Sequence, residues 1–237
     1  MQLPDIDASS DVYLKHTDHF AGAVEGWSDA EVITAAQRIT VTETGTIVLV
    51  AATALRTGHT HRVGAAREAT KLRARFGIRD ILLDLRLQSV SDSVLNGPAM
   101  RNRKHPVFLA VFQEGPAGEI TEMKMRDEPE AAERIRDRLL TVDAFDGKDQ
   151  LVANLNEALS KSVATRDALD DAEIAENKAG DAELQARLNV RAALDKAYGL
   201  LRVAFPGQRK FVESFFYRTQ RKSKKDDATS GADSTGG

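Results

Sequence analysis

The feature that most constrains this fold is a run of about 70 residues, from Asp146 to Tyr217, with the pattern of long helices. Asp146 suits an N-cap, because its side chain can accept hydrogen bonds from the free amides of a first helical turn. No Gly or Pro occurs between Lys148 and Lys178. Apolar residues recur there at threes and fours, the spacing of one helix face, at Leu151, Val152, Leu155, Leu159, Val163 and Leu169.

A break is predicted at Gly180–Asp181, where a glycine can end one helix and an aspartate can cap the next. A second apolar stripe then runs through Leu184, Leu188, Leu194, Tyr198, Leu201 and Phe205. Pro206 stops it, because proline disfavours helical geometry in the preceding residue. A short link forces neighbouring helices to run antiparallel, so residues 143–218 are predicted to form a helical hairpin followed by a short aromatic-rich helix.

Six of the 13 aromatic residues fall in this region, at Tyr198, Phe205, Phe211, Phe215, Phe216 and Tyr217. Aromatic side chains gain a large free energy from burial, which favours a plug at the base of the bundle. The alternative is an exposed anchor for a partner or a second copy of the chain. The candidate partner-binding residues are Phe211, Phe215, Phe216 and Tyr217.

The first half of the chain is less clearly patterned. Residues 1–28 are turn-rich and predict an extended N-terminal arm, and the capping box Ser28–Glu31 predicts a helix start. Residues 62–75 predict a helix ended by Gly77. Residues 39–50 are rich in β-branched side chains, which suits a β-hairpin, yet they also carry helical spacing. Residues 29–142 are therefore predicted to be mainly helical, with an α+β arrangement as the alternative for residues 39–125.

Three further elements complete the fold prediction. Asn96–Pro98 is a turn, and the segments 107–112 and 120–125 are either a hairpin or two short helices. A helix should start near Asp127, with Pro129 in its first turn, and reach about Val142. The predicted class is mainly α, a helical bundle with a long C-terminal antiparallel hairpin.

The amino-acid composition limits the cell compartment in which the protein is expected and the kinds of chemical site that it can contain. The chain has no cysteine, which excludes disulfides and a cysteine nucleophile and fits a reducing cytoplasm. Its N-terminus lacks the pattern of a signal peptide, and the apolar run 47–55 is too short to span a bilayer. Residues 56–105 hold 11 basic and 4 acidic side chains, whereas residues 1–55 hold 2 and 8. Charge blocks of this kind favour contacts within the fold or between subunits as readily as contacts with a polyanion.

Motifs for catalysis, cofactors or metals are not apparent. Neither a phosphate-binding loop nor a nucleophile elbow occurs, and no histidine follows a glutamate by three residues as in di-metal bundles. The close histidine pairs, His16/His19 and His59/His61, lack obvious further ligands. The sequence therefore predicts no catalytic residue, no cofactor and no metal.

Two basic stretches are candidates for contact with nucleic acid. Arg67 and Lys71 lie one helical turn apart in a basic helix and could contact phosphates. The densest cluster follows the aromatic region, with Arg218, Arg221, Lys222, Lys224 and Lys225. Residues 219–237 become Ser/Gly-rich and predict a disordered tail.

The hypothesis from sequence is a cytoplasmic, non-enzymatic structural or interaction protein. It is expected to self-associate, or to bind a protein partner, through the hairpin and its aromatic base. A nucleic-acid-associated protein that uses residues 62–75 and 218–225 is the alternative. Neither a cofactor nor a membrane is expected among its partners.

Overall fold

The computed structural model describes residues 2–28 and 30–218, which contain seven helices and no strand. The mainly α prediction is confirmed, and the α+β alternative for residues 39–125 is wrong. The helices are α1 (Ser10–Ser28), α2 (Ala35–Asn96), α3 (Pro106–Val111), α4 (Ala117–Ile120), α5 (Glu128–Thr141), α6 (Lys148–Ala204) and α7 (Arg209–Ser214).

The predicted hairpin break within residues 143–218 is wrong, because α6 runs unbroken through Gly180. Gly180 does not adopt the left-handed backbone that a helix-ending glycine needs, whereas Gly207, just beyond the end of α6, has φ +77°. A glycine inside a helix costs only about 1 kcal/mol relative to alanine. Burial of Leu169 on one side and of Val190 on the other outweighs that cost.

Helix α2 starts later and runs further than predicted. Thr34 and Gln37 form a reciprocal capping box, with each side chain accepting a hydrogen bond from the other residue's amide (3.0 and 3.3 Å). The capping box predicted at Ser28–Glu31 is wrong, because Ser28 ends α1. The helix also continues through Gly77 and ends at Asn96, the first residue of the predicted turn Asn96–Pro98.

The N-terminal arm predicted for residues 1–28 is wrong from Ser10 onward, where α1 begins. Tyr13 and Phe20 lie seven residues apart on one face of α1 and are fully buried. The ring of Phe20 lies 5.3 Å from that of Phe216 and 6.0 Å from that of Phe215. The aromatic base of the chain is therefore covered by its own first helix.

The chain folds into two compact units. The first comprises the described residues up to His59 and those from Ala182 onward, and so contains α1, the first part of α2, the last part of α6, and α7. Its α2 and α6 segments are antiparallel, because Gln37 donates a hydrogen bond to the carbonyl of Ala204 (3.1 Å) while His59 lies beside Glu183. Its core is built around Phe20, Val41, Val48, Leu55, Val190, Leu194, Leu201, Phe205, Val212, Phe215 and Phe216.

The second unit spans residues 60–181. The later part of α2 and the first part of α6 are antiparallel here too, because Arg73 is bonded to Glu173 (3.0 Å) while Arg86, later in α2, lines a cavity with Glu157, earlier in α6. Segment 107–112 lies mostly in α3, so the hairpin alternative for it is wrong. The alternative of a second short helix is wrong for segment 120–125, because α4 ends at Ile120 and turns follow it. The predicted helix near 127–142 is confirmed as α5. Its main core contains Leu83, Leu87, Val90, Val94, Phe108, Val111, Phe112, Ile120, Ala131, Ile135, Leu139, Leu155 and Leu159.

Candidate self-association surface

Helix α2 carries an exposed apolar face in the second unit. Ile78, Ile81, Leu82 and Leu85 have exposed fractions of 58, 54, 41 and 54%. Their spacing of three, four and seven residues places them along one side of the helix. We call these four residues the outer face of α2. Large aliphatic side chains grouped in this way mark an interaction surface more often than singly exposed ones do.

The outer face exists because this part of α2 is apolar on two sides. Leu83, Leu87 and Val90 are buried in the core of the unit, whereas Ile81 and Leu85 point away from it. A helix with one covered side needs only one apolar stripe. The second apolar stripe is therefore not needed to form the core of a single chain. Its sequence signature is the mixed run Ile81–Leu87, in which apolar residues are too frequent for a single helix face.

Opposite charges lie on the same side of α2 at the two ends of this apolar face. Lys71, Ile78, Leu85 and Asp92 are each seven residues apart, which is close to two helical turns. Lys71 is exposed and lies 3.6 Å from Glu68, and Asp92 is also exposed. Along this side of α2, a basic residue is therefore followed by two apolar residues and then by an acidic residue.

This order of charges is self-complementary when two copies of α2 meet antiparallel. A two-fold axis between Ile81 and Leu82 places Ile78 of one copy beside Leu85 of the other. The same axis places Lys71 beside Asp92, about 16 Å from the axis along each helix at 1.5 Å per residue. A symmetric dimer would thus contain a central aliphatic contact with an ion pair at either end.

The edge of the outer face next to α6 is polar. A shallow cavity of about 90 Å³ beside Leu82 is lined by Arg79, Arg86, Glu157 and Lys161, among others. A hydrogen bond from Lys161 lowers the pKa of the Glu157 carboxyl, so this rim stays charged at neutral pH. An apolar centre with a charged rim is the usual anatomy of a protein interface.

The described basic residues predicted to contact nucleic acid belong to different units of the chain. Arg67 and Lys71 are exposed on α2, whereas Arg218 donates a hydrogen bond to Glu213 (2.6 Å) in the first unit. Their neighbour Arg73 is bonded to Glu173 and Glu176. Arg221, Lys222, Lys224 and Lys225 lie outside the described residues.

The four candidate partner-binding aromatics lie mostly inside the first unit. Phe215 and Phe216 are buried, at 0 and 3% exposure. Phe211 is half-buried and packs on Trp27, with ring centres 4.5 Å apart, and Tyr217 packs edge-on against His16 at 5.2 Å. Core packing therefore explains the aromatic cluster, and only Phe211 and Tyr217 retain exposed surface for a partner.

Three histidines of the two close pairs contact side chains from other helices or from the C-terminal segment. His16 and His19 share a face of α1 against the ring of Tyr217. Burial, and then the charge of His19, lower the pKa of His16. His59 is bonded to Glu183, and His61, two residues further along α2, is exposed on a different side.

Helix α2 lies near the N-terminus of the chain and is apolar along part of its length. It contains an 18-residue window with a mean hydropathy of 1.3, long and apolar enough to cross a bilayer, of which 33% is buried. Buried helices in the cores of soluble proteins meet the same criterion.

Comparison with protein-family models, curated proteins and solved structures gave no match. A function for this protein is therefore inferred from its own surfaces.

Proposed function

We propose that this protein is a non-enzymatic helical interaction protein that self-associates through the outer face of α2. The observation that carries the proposal is the exposure of Ile78, Ile81, Leu82 and Leu85 side by side on one helix, at 41–58%. Covering each half-exposed aliphatic side chain would contribute about 1 kcal/mol per residue. A symmetric dimer doubles every such contact.

A second copy is the favoured occupant because the face complements itself. An unrelated partner would require no symmetry in the charges of this chain. Here Lys71 and Asp92 lie equally far from the midpoint of Ile81 and Leu82, on opposite sides of it. That arrangement is what an isologous interface needs, since each residue must meet its counterpart twice. Opposite charges at the ends also disfavour the parallel arrangement, which would bring like charges together.

The surface proposed here differs from the aromatic base expected from the sequence. Phe215 and Phe216 are buried against α1, so their side chains offer little area to a partner. The outer face offers four aliphatic side chains in two helical turns. The proposed self-association therefore uses the outer face of α2 and not the C-terminal aromatic residues.

Sedimentation velocity over a wide concentration range tests the proposal. Leu85→Asp should weaken self-association at least about tenfold, because each dimer would bury two unpaired carboxylates. Leu140→Asp is the matched control, since Leu140 on α5 is also 54% exposed but lies outside the face. A wild-type chain that stays monomeric at all concentrations, or equal effects of the two substitutions, would contradict the proposal.

The alternative, a nucleic-acid-associated protein, is supported by the exposure of Arg67 and Lys71 on one side of α2. It predicts binding to DNA or RNA that weakens steeply with salt, because phosphate contacts release counterions. A fluorescence anisotropy titration with duplex DNA and with single-stranded RNA separates the two functions. Binding reduced by Arg67→Gln, in a protein that remains monomeric, would favour the alternative.

A further inference from the structure

Three carboxylates meet in the second unit, away from the outer face of α2. Asp80 and Asp84 lie one turn apart on α2, and Glu128 is the first residue of α5. One oxygen from each of the three side chains lies within 4.8 Å of the other two. The fold thus brings together acidic groups that are more than 40 residues apart in the sequence.

Glu128 is a buried carboxyl group, and one of its two oxygens has no hydrogen-bond partner. Its residue is 1% exposed, and its Oε1 atom is buried without a hydrogen-bond partner. The Oδ1 atom of Asp84 is also buried without a hydrogen-bond partner. A buried carboxylate oxygen normally accepts a hydrogen bond or binds a cation, because leaving it without either costs a large free energy of desolvation. Both unsatisfied oxygens belong to this cluster.

Three negative charges in this cluster would repel one another unless a proton or a cation lies between them. Burial, together with Asp84 and Asp80, raises the pKa of Glu128 to about 9. Burial also raises the pKa of Asp84. The basic residues nearest to the cluster along the chain are Arg79, Arg86 and Arg126. Arg79 and Arg86 line the cavity beside Leu82 together with Glu157. The guanidinium of Arg126 is bonded to Asp170 and Glu173 on α6. Arg126 is therefore engaged with carboxylates outside the cluster.

We propose that Asp80, Asp84 and Glu128 bind one divalent cation of the class that prefers oxygen ligands, namely Mg²⁺, Mn²⁺ or Ca²⁺. These ions bind carboxylates at about 2.0–2.6 Å, so oxygens on opposite sides of one ion lie about 4–5 Å apart. The separations of up to 4.8 Å in the cluster fit that range. With three carboxylates and no histidine or cysteine, the donor set suits a hard cation rather than Zn²⁺ or Cu²⁺.

A cation at this position would join the middle of α2 to the start of α5. Its binding would satisfy the Oε1 atom of Glu128 and the Oδ1 atom of Asp84 together. Because the three ligands come together only in the folded chain, the ion would stabilise the native state in proportion to its affinity. The site is thus proposed to have a structural role, and it is independent of self-association through the outer face.

Isothermal titration calorimetry and thermal unfolding test the site on the full-length protein after treatment with EDTA. Mg²⁺, Mn²⁺ and Ca²⁺ are titrated separately. At least one of them should bind with one ion per chain and raise Tm by at least about 3 °C at 10 mM. Glu128→Gln and Asp80→Asn should each abolish the heat and the Tm shift. The control Glu130→Gln changes an exposed carboxylate in the same turn of α5 and should preserve both.

Circular dichroism first shows which variants retain the helical content of the wild type. Asp80 is only partly buried, so Asp80→Asn tests the site even where Glu128→Gln fails to fold. The proposal is overturned when none of the three ions gives heat or a Tm shift with the wild-type protein. It is equally overturned when folded Asp80→Asn or Glu128→Gln protein binds the ion as well as Glu130→Gln does.

Discussion

The Nδ1 atom of His59 lies 2.8 Å from the Oε1 atom of Glu183, a residue that is only 1% exposed. The hydroxyl of Ser10 donates a hydrogen bond to the same carboxylate oxygen. The buried carboxylate therefore connects α1, α2 and α6 at this point of the fold. Because the serine bonds the carboxylate rather than the histidine, this group has the connectivity of a structural clamp and not that of a catalytic triad.

Replacing Glu183 by alanine should lower the free energy of unfolding by about 1–3 kcal/mol, because the Ser10 hydroxyl, at 5% exposure, would lose its acceptor. Urea denaturation at pH 7 measures the change. Asp195→Ala, at an exposed position of α6 in the same unit, is the control and should change stability by less than about 0.5 kcal/mol. Equal effects of the two substitutions would show that the clamp does not stabilise the fold.

Gly180→Ala should stabilise the protein by about 0.5–1 kcal/mol, because Gly180 lies inside α6 and a Cβ there would have no atom within 4 Å. Gly207→Ala should do the opposite, since Gly207 has φ +77°. Thermal unfolding of both variants checks the pair. Destabilisation by Gly180→Ala would instead support a helix end at this glycine.

The missing break at Gly180 shows which part of this fold can be predicted from local sequence. Apolar spacing identifies most helical segments, because packing against any partner requires one apolar face. It does not identify the partner. Residues 148–204 pack against α2 rather than folding back on themselves, and that choice depends on contacts between residues about 100 positions apart.

The proposed sites are not apparent from the sequence for a similar reason. The charge of Lys71 is plain, but its relation to Asp92 matters only if α2 is one helix through Gly77. Asp80 and Asp84 resemble an ordinary solvated helix face, and Glu128 resembles an acidic residue placed to favour the helix dipole. Only the tertiary fold shows that Glu128 is buried and that the three carboxylates face each other.

Acid should weaken the fold through Glu114. Hydrogen bonds from Arg138, at 2.5 and 2.8 Å, and one from Arg134 lower the pKa of this carboxyl from 4.5 to about 2. A carboxyl whose pKa is lower in the folded state stabilises that state above its unfolded pKa. This contribution is therefore complete above about pH 4.5 and is lost as the pH falls towards 2.

Glu114→Gln should consequently lower the urea midpoint at pH 7 and lower it much less at pH 2, where about half of the folded wild-type protein already has a neutral carboxyl at this position. Urea titrations at pH 7, 4.5, 3 and 2 follow the difference between the two proteins. Glu122→Gln, an exposed substitution in the segment between α4 and α5, serves as the control. A difference between Glu114→Gln and wild type that stays constant from pH 7 to pH 2 would refute the proposed pairing with Arg138 and Arg134.

A charge-swap cycle at Lys71 and Asp92, read by sedimentation velocity, tests self-association through α2 most directly. Lys71→Asp and Asp92→Lys should each raise the dimer Kd about threefold to thirtyfold, because each creates two like-charge contacts per dimer. The double variant Lys71→Asp/Asp92→Lys should return the Kd to near its wild-type value, since both ion pairs re-form with reversed polarity. Additive weakening in the double variant, or no change in either single variant, would contradict the antiparallel dimer.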